Sequence, residues 1–132
     1  MATDGAEPTR GEVLAALSNA MVALQKQFAG KGPTQTRSGW VGDDMLVVLM
    51  GGGYTIAEET LYQSGRGGAV RDSRNALHDA MRQRMGDIIY RLTGREVIAY
   101  MSDFHQSPDL ALAAFVLAPT EPNHPALADS EE

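Results

Sequence analysis

Cysteine is absent from the chain, and with it go disulfide staples, thiolate metal sites and a cysteine nucleophile. A reducing compartment is the natural setting for such a sequence. Aromatic residues make up only 6% of the chain, which leaves few of the flat side chains that single-stranded RNA is stacked on. Long apolar runs are missing too. Met45–Met50 and Leu110–Ala118 are the longest, far short of the ~20 residues of a membrane helix. Met1–Pro8 is short and polar, without the charged-then-apolar pattern of a secretion signal. Together these absences predict a cytoplasmic protein with no membrane insertion. A chain of 132 residues has room for one core.

Acidity is concentrated at the ends. The net charge is −6, yet Asp4, Glu7, Glu121, Asp129, Glu131 and Glu132 lie outside residues 9–118, which carry eleven charges of each sign. Inside that neutral body the signs separate. Residues 65–95 hold Arg66, Arg71, Arg74, Arg82, Arg84, Arg91 and Arg95 against Asp72, Asp79 and Asp87.

Periodicity and punctuation predict an α+β domain over 9–118, ordered helix, strand, strand, broken helix, strand, strand. Thr9-Arg10-Gly11-Glu12 has capping-box form. Leu14, Leu17, Met21, Leu24 and Phe28 then recur at helical spacing until Gly30 and Pro33 end the helix. Thr34–Val41 is polar and suits an edge strand, and Gly42-Asp43-Asp44 is a hairpin turn. Met45–Met50 is apolar on both faces, so it is expected at the centre of a sheet. Thr55-Ile56-Ala57-Glu58 is a second capping box and opens a short helix to about Gln63. Gly65, Gly67 and Gly68 are expected to break it. A longer helix follows from about Ala69 to Thr93, with Val70, Leu77, Met81, Met85, Ile88 and Leu92 as its buried stripe. Glu96–Phe104 is a strand of mixed polarity, and Leu110–Leu117 is a second strand apolar on both sides. Residues 1–8 and 119–132 read as disordered tails.

Two hairpins, each with one doubly apolar strand, predict a four-stranded, mostly antiparallel sheet of order 1-2-4-3. Both sheet faces then need cover. Either the two amphipathic helices divide between the faces, or two copies of the chain pack together. A homodimer is the favoured solution, because symmetric pairs are the commonest oligomers.

Gly30-Lys31-Gly32-Pro33, the run Asp44–Gly51, and Thr55-Ile56-Ala57-Glu58 with Leu61 resemble a small bacterial domain family termed MpsC-like. Arg74, Leu92-Thr93-Gly94, Asp103 and Phe115 continue the similarity, which covers essentially residues 9–118. The family is named after the third component of a sodium-translocating, membrane-potential-generating system whose other members are linked to bicarbonate and cation transport. The resemblance implies a non-enzymatic accessory or regulatory domain with a membrane-transport protein as partner, and it transfers no catalytic residue. Two departures stand out: Gly52-Gly53-Tyr54 precedes the short helix where relatives are more hydrophobic, and the long helix is rich in arginine where relatives often carry glutamate.

Several residues qualify as candidate sites. Arg71, Arg74, His78 and Arg82 fall three, four and four residues apart on the long helix, with Arg66 just before it. Such a row could bind a phosphate-bearing ligand or an acidic partner surface, or be a solvated face with local ion pairs. Gly30, Lys31 and Gly32 superficially resemble a phosphate loop, but they follow a helix and precede a strand, the reverse of the P-loop order. Gly52 and Gly53 lead into the Thr55 cap, where backbone N–H groups could meet an anion; Glu58 and Glu59 already answer that helix end. His78, Asp79, Asp103 and His105 lack the convergent spacing of metal ligands, and Ser102-Asp103 with distant histidines has no triad order. No catalytic residue, metal or cofactor is assigned. Trp40 either anchors a dimer contact or caps the core.

Three functional readings follow. An accessory domain acting through protein association is the first, and an anion-, nucleotide- or RNA-binding module using the arginine row is the alternative. A hydrolase or transferase site assembled between two copies is a distant third. Nucleic acid is the weakest ligand class, because the body is neutral and aromatic-poor.

Overall fold

The structure, a computed structural model, describes residues 8–119. The tails expected at 1–8 and 119–132 lie, Pro8 and Pro119 apart, outside the described residues. Seven elements follow one another: α1 (Arg10–Ala29), β1 (Gln35–Val41), β2 (Met45–Gly51), α2 (Ile56–Gln63), α3 (Gly67–Thr93), β3 (Val97–His105) and β4 (Leu110–Leu117). The sheet order is β1-β2-β4-β3 and every neighbouring pair is antiparallel. Fold class and strand order are those expected from the doubly apolar strands.

Local chemistry explains the boundaries. Thr9 and Glu12 exchange both capping-box hydrogen bonds, at 2.8 and 3.1 Å, and Thr55 and Glu58 repeat the device at 3.0 and 3.1 Å. Each box satisfies backbone donors that a helix start leaves free. Gly30, at φ 81°, closes α1 with its N–H on the Lys26 carbonyl. One boundary differs from expectation. Gly67 and Gly68 do not break the helix but begin α3, and the interruption is confined to Ser64–Arg66, with Gly65 at φ 77°.

All core-forming helix residues meet a single sheet face. Val13, Leu17, Met21 and Leu24 of α1 join Met81, Met85 and Ile89 of α3 over Leu46, Val48 and Met50 of β2 and Ala111, Ala113, Phe115 and Leu117 of β4. Phe104 of β3 completes this cluster. Burying an aromatic or aliphatic side chain there stabilises the fold by roughly 1.5–3 kcal/mol each. Trp40 belongs to this side: its Nε1 donates to the Arg10 carbonyl at 3.2 Å, and the Arg10 guanidinium covers its ring. It caps the core.

The helices therefore do not divide between the faces. The alternating residues of the same strands point the other way, where no helix lies among the described residues. Val41 is 53% exposed, Met101 52% and Leu112 42%, while Met45, Val47 and Leu49 are half-buried. Both central strands are thus covered by helices on one flank only; on the other, Leu112 is exposed, Met45, Val47 and Leu49 are half-buried, and Ala114 and Val116 are each 8% exposed.

Candidate functional site

The buried seam of α3 runs through Val70, Arg74, His78, Met81, Met85 and Ile89. It corrects the apolar stripe read from sequence, in which Leu77, Ile88 and Leu92 took places that Arg74, His78 and Ile89 occupy; those three leucine and isoleucine positions are only partly buried. The spacing of the arginine row is the reason. Positions 74 and 78 fall on the seam and turn inward, whereas Arg66, Arg71 and Arg82 remain exposed. The five residues are not brought together on one solvent-facing surface.

Arg74 sits under α2 and is bound on several sides. Its Nε and Nη2 donate to the two oxygens of Glu58 at 2.8 and 2.9 Å, and Nη1 lies 3.7 Å from Asp109. Its guanidinium stacks over Tyr54 at 4.4 Å. Asp109 in turn accepts the Tyr54 backbone N–H at 2.9 Å, and the Tyr54 hydroxyl donates to Tyr62 at 3.0 Å. Burial alone pushes the Glu58 carboxyl up, but the Arg74 and Thr55 hydrogen bonds outweigh it and hold the pKa below the usual range. Burial likewise opposes the Arg74 charge, and Glu58 and Asp109 more than offset it. Desolvation and the bond to Tyr62 push the Tyr54 phenol up. The cluster is a clamp of mutually paired groups. It ties the loop after β2, the cap of α2, the middle of α3 and the β3–β4 turn to one point.

His78 lies one turn further along, 1% exposed, its ring edge-on to Phe104 at 4.8 Å. Nδ1 is 3.2 Å from the Tyr100 hydroxyl, and Nε2 has no hydrogen-bond partner among the described residues. Burial, with the Arg74 charge adding to it, lowers its pKa to about 4. At neutral pH the imidazole is uncharged. Arg71 leaves the seam to bond the Asp103 carboxylate and the Phe104 carbonyl, both at 2.9 Å, and Arg82 covers the Tyr100 ring at 5.1 Å.

The glycine loops are engaged within the chain. Lys31 donates from Nζ to the Tyr54 carbonyl at 2.8 Å, joining the loop of Gly30 and Gly32 to that of Gly52 and Gly53. The N–H groups of Gly52, Tyr54 and Thr55 are taken by the Asp109 carbonyl, the Asp109 carboxylate and Glu58. Gly52 has φ 75°, and a Cβ there would strike the Thr34 hydroxyl, so glycine is a steric requirement at this turn.

Sequence reasoning recognised Glu58 as a cap but not as the partner of Arg74, and it singled out no role for Asp109. The signal was a paired acid at a helix N3 position facing an arginine-rich helix, which fixes chemistry but not who meets whom. Arg95 was also missed: it donates to the Ala118 and Asp43 carbonyls at 2.7 Å each and to the Asp44 carboxylate at 2.8 Å, clipping both hairpins together. A shallow groove of about 350 Å³ lies between α3 and β3, with Arg82, Asp87, Tyr90, Glu96 and Tyr100 in its wall. Among the described residues there is no group of three or more potential metal-ligating side chains, and no helix is long and apolar enough to cross a membrane.

A family model described as Na+-translocating membrane potential-generating system (MpsC) matches residues 9–119. The chain belongs to the MpsC family. The match spans the helix–sheet body, and the MpsC residues quoted above fall on structural positions within it. Gly30 and Gly94 are the left-handed caps of α1 and α3, Arg74 is the clamp, and Phe115 is a core residue. Comparison with curated proteins and comparison with solved structures each returned no match.

Proposed function

We propose that this MpsC-family domain is a non-enzymatic, cytoplasmic accessory component that works through protein association, as part of a sodium-translocating, membrane-potential-generating system with links to ion or bicarbonate transport, and that it pairs with a second copy of itself. The carrying observation is the uncovered sheet face. Leu112, Met101 and Val41 are 42–53% exposed on it, and contiguous apolar surface of this kind is characteristic of binding surfaces. The ionisable groups that converge most closely, Arg74, Glu58 and Asp109, are spent on one another, which favours a structural role for them. Family membership supports the transport setting.

The alternative, a nucleotide or RNA module built on the arginine row, has less in its favour, since Arg74 and His78 face the core and Arg71 already holds Asp103. The test is light scattering of the purified chain from 1 to about 100 μM, together with recovery of membrane components from cells carrying tagged wild-type protein or a Leu112→Lys variant. Association that Leu112→Lys abolishes supports the reading. A chain that is monomeric throughout, and recovers the same components with and without the substitution, refutes it.

A further inference from the structure

The open sheet face is self-complementary about one axis. Its outward residues lie in register across all four strands, so they form rows. The first row is Arg37, Leu49, Leu112 and Asp103, the second Gly39, Val47, Ala114 and Met101, and the third Val41, Met45, Val116 and Ala99. Ala114 and Val116 are each 8% exposed yet lie outside the core cluster, which marks them as the floor of this second, shallower apolar surface. Arg37 stands at one rim and Asp103 at the other, in the same row. The Arg37 side chain makes no ion pair or hydrogen bond among the described residues, and Asp103 is 81% exposed with only its Oδ1 used, by Arg71 and the Phe104 N–H.

We infer that two copies stack face to face about a two-fold axis parallel to the strands and running between β2 and β4. The inference rests on the protein-association reading and specifies its geometry. Such an axis keeps each row at its own level and reverses its order. Arg37 then faces the partner's Asp103, and the exchange occurs twice by symmetry. Leu49 faces the partner's Leu112. In the second row Gly39 faces the partner's Met101 and Val47 the partner's Ala114; in the third, Val41 faces the partner's Ala99 and Met45 the partner's Val116. Size is matched along with charge, because Gly39, Ala114 and Ala99, the small residues, each receive a larger one. Over Gly39 a Cβ would meet only a Val47 methyl, at 4.0 Å, so the hollow for the partner's Met101 is real space.

Stacked sheets sit about 10 Å apart and cross at about 30°. That rotation displaces the rims by roughly one residue, which an arginine side chain can span. The competing two-fold axis, perpendicular to the strands, places Gly39 on the partner's Gly39 and Met101 on the partner's Met101. It also sets Arg37 against the partner's Val41 and Asp103 against the partner's Ala99, so neither charge gains a partner across the interface, and Asp103 keeps only the Arg71 pair it already has. Charge and volume select the same axis.

A mixing experiment tests this. Arg37→Asp and Asp103→Arg proteins each carry like charges at both rims, and each should dimerise at least ~10-fold more weakly than wild type. Mixed in equal amounts they should form a heterodimer of near wild-type affinity, since both pairs are then restored. Folding of each variant is checked by near-ultraviolet circular dichroism. The cysteine-free chain allows a second measurement. Gly39→Cys and Met101→Cys proteins, treated together with a short bis-maleimide that spans the ~10 Å sheet spacing, should give a cross-linked heterodimer, and neither should link to itself, because the same position on the two copies lies three strand spacings apart as well as one sheet spacing. Self-linking of Gly39→Cys, or failure of the charge variants to rescue each other, overturns the axis. A wild-type chain that stays monomeric but recovers a membrane component through Leu112 overturns self-pairing and leaves protein association standing; one that does neither overturns both.

Discussion

Arg74 and Glu58 meet in a two-pronged pair, Nε to Oε2 at 2.8 Å and Nη2 to Oε1 at 2.9 Å, although they belong to different helices. Glu58 simultaneously closes the capping box of α2. No residue of α2 is buried, so this pair, the cap and the Tyr54–Tyr62 contact hold the helix in place. The clamp makes α2 dependent on charges rather than on apolar packing.

Removing the acid should therefore cost more than removing the base. Glu58→Ala leaves Arg74, whose side chain is 6% exposed, without its main partner and also removes one of the two capping-box bonds of α2; Arg74→Met leaves a carboxylate that is 20% exposed and can reach water. We expect losses of about 3–4 kcal/mol and about 1–3 kcal/mol respectively. Urea unfolding measures both, and equal losses or the reverse order would contradict the assignment.

His78 predicts a pH dependence. Its pKa is lowered from 6.5 to about 4 in the fold, so the unfolded chain binds the extra proton first. Stability is fully present above pH 6.5 and declines as pH falls toward 4, by on the order of 3 kcal/mol in all. Glu58, whose pKa is also depressed, adds its loss only below the ordinary carboxylate pKa. The interval from pH 7 to 5 thus isolates the histidine. His78→Leu should flatten the urea midpoint across that interval; an unchanged slope would show that another group titrates.

Gly52 and Thr34 should be coupled. Gly52→Ala combines a left-handed backbone with a collision against the Thr34 hydroxyl, an expected cost above ~2 kcal/mol. Adding Thr34→Ala removes the hydroxyl from that collision, though the Cβ at position 34 stays 3.1 Å from the new methyl, and leaves mainly the backbone cost of about 1–2 kcal/mol. Additive losses in a double-mutant cycle would contradict the contact.

The two faces of β4 should respond in opposite ways. Phe115→Ala, on the covered face, should cost about 3–5 kcal/mol in unfolding. Leu112→Lys, on the open face, should change monomer stability by no more than about 0.5 kcal/mol while abolishing self-association. Loss of folding in the Leu112→Lys protein would mean that this face is not free.

RNA binding separates the alternative reading. Titration at 50 and 200 mM salt should show no affinity that falls with salt, whereas a row of several arginines on phosphates would lose it steeply.

Sequence alone determined the elements of this protein and their order in the sheet. Capping boxes at Thr9 and Thr55, glycine stops at Gly30 and Gly94, and the doubly apolar runs of β2 and β4 act through near neighbours, so their consequences are readable from local spacing. Tertiary structure decided which groups the seam of α3 buries. A polar residue at a helical position can face either way, and only the arrival of Glu58 and Asp109 from distant segments makes burial of Arg74 tolerable. The same holds for the bare side of the sheet. Alternation shows that a strand has two apolar flanks, but placing both long helices on one flank is a choice made among contacts far apart in the chain, where spacing carries no information.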